Sequence, residues 1–270
     1  MLRFSLACLV LPKDRKEYME LVKSLRYRTE APIMDCTSAL KESDGDIDAA
    51  MQLLHTKGLA RAMKKANSVT EHGFLVSCVS PIPRNGAAII TMCSETDFAA
   101  RNAHFQQLCR VTQDRLVAML DQSAGGLLAH PAEATEALNA AMDDVLRPAI
   151  AVLGENVRVR AVTPLLMASP TLEGLRLGCY VHGGVGVEEV GRLVGLIAVE
   201  HRTGVEVEPE VLTSVARHFV ATSGAEGDYA QENFFGTDNE SFDAWMRRHH
   251  LRFNSSLVME FGKDPIQHIL

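Results

Sequence analysis

The sequence has no excess of positive charge: 27 Lys and Arg are outnumbered by 34 Asp and Glu, for a formal net charge of −7. Phosphate neutralisation supplies most non-specific nucleic-acid affinity, so the chain is a poor candidate for generic nucleic-acid binding and a protein or small-molecule partner is expected. Closely spaced cysteines are also lacking. Cys8, Cys36, Cys78, Cys93, Cys109 and Cys179 come no closer than the 15 positions between Cys78 and Cys93. No zinc or dithiol motif fits that spacing, and no metal is assigned. Cys78 and Cys93 lie in apolar runs and read as small buried hydrophobes of a reducing compartment. There is no apolar run long enough for a membrane span; Leu6–Leu11, near the start, is far too short.

Signatures of chemistry are missing as well. No phosphate-binding loop occurs, and His182-Gly183-Gly184-Val185-Gly186 fails the dinucleotide fingerprint because Glu189 stands at the third glycine position. There is no serine elbow, no histidine pair at i, i+4, and no cysteine near a histidine base. His249 and His250 are adjacent and point apart. No enzyme and no cofactor are expected.

What is present is a globular composition, 47% hydrophobic and 23% charged over 270 residues. This excludes disorder, collagen and a disulfide-stapled miniprotein, and it allows one large domain or two to three small ones. Charge is uneven: residues 1–70 carry +3 and 71–270 carry −10. Met1–Pro12, free of acids and bearing Arg3, is compatible with a mitochondrial import leader, here bounded at 1–15.

From Lys16 to Gly58 the pattern is helical. Tyr18, Leu21, Val22 and Leu25 share a face, the first helix ends near Thr29, and Asp35 is expected to cap the second. Asp46 caps a third helix with Ile47, Ala50, Met51 and Leu54 inward, stopped by Gly58. A basic connector with Lys64 and Lys65 fills 59–70. Strands are then predicted over Gly73–Ser80 and Ala87–Cys93 with an Asn85-Gly86 hairpin signal between them. One long helix is predicted from Phe98 to Leu120 and another over Ala132–Leu153. Strands at Val157–Val162, Gly174–His182 and Val190–Glu200 precede a helix at Pro209–Thr222, a loop-rich stretch within 223–250, a short helix at Phe242–His250 and a last strand at Leu251–Gly262. The expected class is α+β, with a three-helix module at 16–58 followed by two similar lobes of antiparallel sheet with helices, 71–153 and 154–270.

The segment Ser94-Glu95-Thr96-Asp97-Phe98-Ala99-Ala100-Arg101-Asn102 joins a buried strand to a helix. Ser94, Thr96 or Asp97 could cap that helix, and Phe98 could be core or a hydrophobic staple with Phe105 seven residues on; spacing alone favours this cap-and-core reading.

The same segment resembles the Thr-Asp-Phe motif of the elongation factor Ts family, exchange factors for the GTPase elongation factor Tu. Val22–Arg26, Met34-Asp35-Cys36, Ala39-Leu40 and Gly45-Asp46-Ile47 resemble that family's ubiquitin-associated-like N-terminal module. Gly154-Glu155-Asn156, Tyr180-x-His182-Gly183 and Ala216-x-His218-Phe219-Val220-Ala221 recur in the family's order. The resemblance runs from Tyr18 to Gly262. Glu30 stands where the family usually has glycine, the bacterial coiled-coil insertion has no counterpart, as in mitochondrial members, and 223–250 aligns poorly.

The resemblance implies a non-enzymatic factor of the mitochondrial matrix that binds GDP-bound and nucleotide-free elongation factor Tu, with no nucleic acid or membrane partner. It implies that Asp97 and Phe98 intrude beside the partner's Mg²⁺, with Leu153, Gly154 and His182 in contact. Docking through Ile33 and Met34, bordered by Lys23, Arg26, Lys64 and Lys65, is implied for the helical module. Ile33 and Met34 could equally pack against the third helix. Two rival readings are a ubiquitin-associated-like adaptor without exchange activity and an enzyme using His182 with a nearby acid in a cleft between the lobes.

Overall fold

The computed structural model describes residues 15–29, 31–65, 67–80, 86–122, 127–165, 174–201, 207–223 and 232–269. Residues 1–14 of the leader, Glu30, Asn85 of the hairpin signal and residues 224–231 of the loop within 223–250 lie outside them. In chain order the elements are α1 (Arg15–Thr29), α2 (Ile33–Glu42), α3 (Ile47–Lys65), β1 (His72–Val79), β2 (Ala87–Ser94), α4 (Asp97–Ala100), α5 (Ala103–Gln122), a 3₁₀ turn (Leu127–Ala129), α6 (Pro131–Ala141) and α7 (Asp143–Leu153). They continue with β3 (Val157–Pro164), β4 (Leu175–His182), β5 (Val190–Gly191), β6 (Leu193–His201), α8 (Pro209–Thr222), α9 (Phe242–Arg248), β7 (Leu251–Glu260) and β8 (Ile266–Ile269). The class is α+β. The chain forms two compact units, one of residues 1–69 with 143–157 and one of 70–142 with 158–270.

In the helical unit Val22 and Leu25 of α1 meet Cys36, Ala39 and Leu40 of α2 and Ala50 of α3, with Ile47, Met51 and Leu54 packed around them. Asp46 caps α3 as expected: its Oδ1 accepts from the N–H groups of Asp48 and Ala49 at 2.9 and 3.0 Å. Two expectations are corrected. Asp35 does not cap α2, because the helix begins at Ile33 behind Pro32, whose carbonyl accepts from Cys36 N–H at 3.0 Å. Proline costs nothing at a position where no N–H is needed, and Asp35 instead complements the helix dipole in the first turn. Gly58 does not stop α3, which continues to Lys65, so the basic connector begins as helix. Gly58 faces α7, and a Cβ there would lie 2.6 Å from Ala151 Cβ. The glycine permits a close helix crossing.

In the other unit the first sheet has the order β3-β2-β1-β5 and the second β4-β6-β7-β8. β1 pairs antiparallel with β2, Gly73 opposite Cys93, and β4–β6, β6–β7 and β7–β8 are antiparallel as well. Every residue of β2 is buried, the mark of a strand covered on both faces. Leu75, Ala87, Ile89 and Cys93 of the first sheet form one core with Val194, Leu196, Ala198, Leu257 and Met259 of the second. On the outer faces, Phe105 of α5 packs on Phe74 of β1, while α8 and α9 cover Ile197, Val199, Phe253 and Val258. This is a helix–sheet–sheet–helix stack. Gly195 of β6 lets α8 approach: a Cβ would lie 2.6 Å from Val220 Cγ2 and 3.0 Å from the Ala216 carbonyl oxygen.

Both long helices expected from periodicity are broken. Asn102 ends the first by capping α5, its Oδ1 accepting from His104 N–H at 2.9 Å and its carbonyl from Gln106 N–H at 3.1 Å. Met142 ends α6, and Asp143 and Asp144 then start α7. β3 and β5, expected with the later strands, join the first sheet. The exposed edge of β3 is occupied by α6: Asn139 accepts from Val159 N–H and donates to Val159 O, and Thr135 Oγ1 accepts from Val162 N–H.

Candidate functional site

α4 is a single turn raised on the end of β2. Thr96 is its cap, accepting from Ala99 N–H at 3.2 Å, and Ser94 Oγ donates to Thr96 O at 2.8 Å. Ala99 and Ala100 face inward and are buried. With those two inward, the turn directs the preceding side chain outward, and Phe98 is 83% exposed. The core reading of Phe98 is therefore corrected. An aromatic side chain this exposed, on a capped turn whose small residues are buried, has no packing role in the free protein.

Asp97 carries a full charge beside it. A hydrogen bond from Arg101 Nε at 2.7 Å is the main reason its carboxyl sits below the usual carboxylate range, with the charges of Arg192 and His72 acting in the same direction. The site is thus an exposed aromatic ring next to an ionised, half-exposed carboxylate.

His182 ends β4, exposed, its ring 6.4 Å from that of Tyr180. Its carbonyl accepts from Arg192 N–H at 3.0 Å, and the following turn leads to β5. Within this turn, the Cα of Gly186 faces α5: a Cβ there would lie 3.9 Å from Gln106 Oε1, whose Nε2 donates to Arg101 O. The turn after His182 and the α4–α5 junction therefore share one end of the unit. Arg101 belongs to this site and stands in the 94–102 motif, although no role was expected of it, and Arg192 belongs to it as well but stands in no motif and carried no sequence signal.

Leu153 and Gly154 fall in the helical unit. Leu153 is the half-buried last residue of α7. Gly154 closes the helix at φ 72°, its N–H bonded to Ile150 O at 2.9 Å, with open space where a side chain would be.

Ile33 and Met34 occupy the first turn of α2, not a loop, and are 48% and 79% exposed. Lys23 and Arg26, three residues apart on α1, are exposed, with Lys23 paired to Glu20 at 2.8 Å. Lys64 and Lys65 end α3, Lys64 exposed and Lys65 half-buried. Tyr27, next to Arg26, is the most exposed large apolar residue described and carried no sequence signal. A cavity of about 260 Å³ in this unit is lined by Met51, Leu54, His55, Pro148 and Ala151 among others. Among the described residues no three His, Cys, Asp or Glu side chains converge as a metal site would require, and no helix is long and apolar enough to cross a membrane.

His218, part of the motif on α8, is structural. Its ring is buried between Phe234 and Phe242, at 5.1 and 4.9 Å, and its Nδ1 accepts from Phe235 N–H at 3.1 Å. Burial lowers its pKa to about 4, so the ring is neutral.

The family Elongation factor TS matches residues 95–229, the span from the capped turn through α8. The chain is 58% identical over 269 residues to the mitochondrial elongation factor Ts of Leishmania major, covering 99% of this chain and 98% of that protein. It is 51% identical over 256 residues to mitochondrial elongation factor Ts 2 of Trypanosoma cruzi (strain CL Brener), covering 94% and 91%. Against elongation factor Ts of the bacterium Methylorubrum populi it is 37% identical over 203 residues, 75% of this chain and 62% of that protein. An α+β chain with these likenesses is a translation elongation factor of mitochondria. It belongs to the elongation factor Ts family.

Proposed function

We propose that the chain is the guanine-nucleotide exchange factor for elongation factor Tu in the mitochondrial matrix, acting through binding alone and without covalent chemistry. The observation that carries this reading is Phe98, 83% exposed on a turn whose neighbouring small residues are buried. By the family resemblance, Phe98 enters an apolar pocket of the GTPase beside its Mg²⁺, with Asp97 next to the metal. Mg²⁺ tolerates little distortion of its octahedral shell, so a small displacement weakens its hold on the nucleotide. Release then follows from linkage: a factor that binds the nucleotide-free partner more tightly must itself be weakened by GDP by the same factor.

The units divide the work in this reading. Asp97, Phe98 and His182 act on the nucleotide site, while Lys23, Arg26, Ile33, Met34, Lys64 and Lys65 dock the helical module, with Leu153 and Gly154 adding contact at the end of α7. The successive modules 16–58, 71–153 and 154–270 are proposed along the chain; the division of work follows the two compact units instead, which group 143–157 with the helices.

Release of a fluorescent GDP analogue from the GTPase, followed with and without this protein, tests the assignment. Acceleration, together with dissociation of the complex on adding GDP and Mg²⁺, is expected. Direct calorimetric binding of GDP or GTP to the isolated chain would overturn it, because the mechanism requires the nucleotide site to belong wholly to the partner.

A further inference from the structure

We propose that Arg192 is the positioning residue of the release site, clamping the end of β1, the turn after His182 and the segment after β7 so that α4 and His182 present one rigid surface. This rests on the exchange reading above.

Five contacts converge on this one residue, three from its side chain and two from its main chain. Its guanidinium donates to Gly73 O at 3.0 Å and lies over the ring of Phe261, 4.5 Å from the centroid, with the Phe74 ring at 5.9 Å. Its N–H donates to His182 O at 3.0 Å, and its carbonyl accepts from Phe261 N–H at 2.8 Å. Its Cβ leaves only 3.3 Å to where a side chain on Gly183 would begin. Gly73 in turn pairs with Cys93, next to Ser94, whose hydroxyl holds the Thr96 carbonyl at the start of α4. A path of strand pairing, chain connectivity and hydrogen bonds therefore links the base of the Phe98 turn to the His182 turn through Arg192.

The residue type matters. A planar guanidinium can stack on Phe261 and donate to Gly73 at once, whereas an ammonium on a flexible stem cannot hold both geometries. Its charge also helps keep Asp97 ionised. Arg192 touches no nucleotide in this scheme. Its effect is exerted through the placement of Asp97, Phe98 and His182, and misplacement by about 1 Å can cost a hundredfold in a geometry-dependent rate.

The test compares Arg192→Met, which keeps a stem of similar length, with Arg192→Lys, which restores the charge and one donor. In GDP release from elongation factor Tu, Arg192→Met is expected to lower the limiting rate at saturating protein about tenfold, while the half-saturating concentration moves less than about threefold. Arg192→Lys is expected to recover part of the limiting rate. In the isolated proteins, amide hydrogen exchange of residues 96–101 and 182–186 is expected to rise about tenfold in Arg192→Met, with the amides of α8 unchanged. A wild-type limiting rate in Arg192→Met overturns the proposal. So does faster amide exchange spread equally through α8 and β7, which would make Arg192 a general stabiliser. A wild-type protein that fails to speed GDP release overturns the exchange reading, and with it the role of Arg192 in release, even where local amide exchange reveals the clamp.

Discussion

Gly58 of α3 and Ala151 of α7 stand so close that a methyl group added at 58 would lie 2.6 Å from the Ala151 methyl. Alanine at 58 would gain roughly 1 kcal/mol of helix propensity. Overpacking against a carbon fixed to the facing helix costs typically 1–3 kcal/mol, and at this distance one helix must shift. Gly58→Ala is expected to destabilise the helical unit, read as loss of amide-exchange protection in α3 and α7. Adding Ala151→Gly should recover that protection; a single variant as protected as the wild type would show that the helices separate freely.

Phe98 separates function from stability cleanly because it is exposed. Phe98→Ala is expected to slow stimulated GDP release by about thirtyfold, equivalent to roughly 2 kcal/mol for an aromatic anchor. The melting temperature should stay within the scatter of the wild type, since no cavity is created. A large fall in melting temperature with unchanged release kinetics would return Phe98 to the core.

Ile33 and Met34 are expected to govern capture and not the release step. Replacing both by serine should weaken complex formation, at roughly 1 kcal/mol or more for each side chain that anchors, while release at saturating protein remains near the wild-type rate. Loss of the limiting rate with unaltered affinity, in a titration monitored by fluorescent GDP, would invert the proposed roles of the two units.

His218 sets a pH dependence of stability. Its folded pKa, about 4, lies below the ordinary value of 6.5, so the unfolded chain binds the extra proton first. The stabilisation from keeping the ring neutral is complete above pH 6.5 and is lost as pH falls from there through about 4, a difference of roughly 3 kcal/mol at 1.36 kcal/mol per unit. Denaturant unfolding of the wild type at pH 7 and pH 4.5 should show most of that loss, and His218→Phe, which stacks but does not titrate, should lose less. Parallel pH profiles for the two proteins would assign the dependence to other groups.

What rests on neighbours along the chain could be read directly from the order of residues. The α1 face of Tyr18, Leu21, Val22 and Leu25, the Asp46 cap, the apolar run of β2 and the Pro209 start of α8 are local signals of periodicity, side-chain reach and fixed φ, and each was legible. The ordered motifs from Val22 to Val220 likewise identified the family. The structure alone decided what depends on residues far apart in sequence. Periodicity carried the helices through Asn102 and Met142 because apolar spacing does not register a side chain that caps the next helix. β3 and β5 joined the first sheet because strand partners are chosen by the packing of both sheet faces, which no single strand records. Gly58 has the same local sequence whether it ends a helix or admits a neighbour; the approach of Ala151 makes it the second. Phe98 has the spacing of a core residue, and only the burial of Ala99 and Ala100 beneath α4 turns its ring outward.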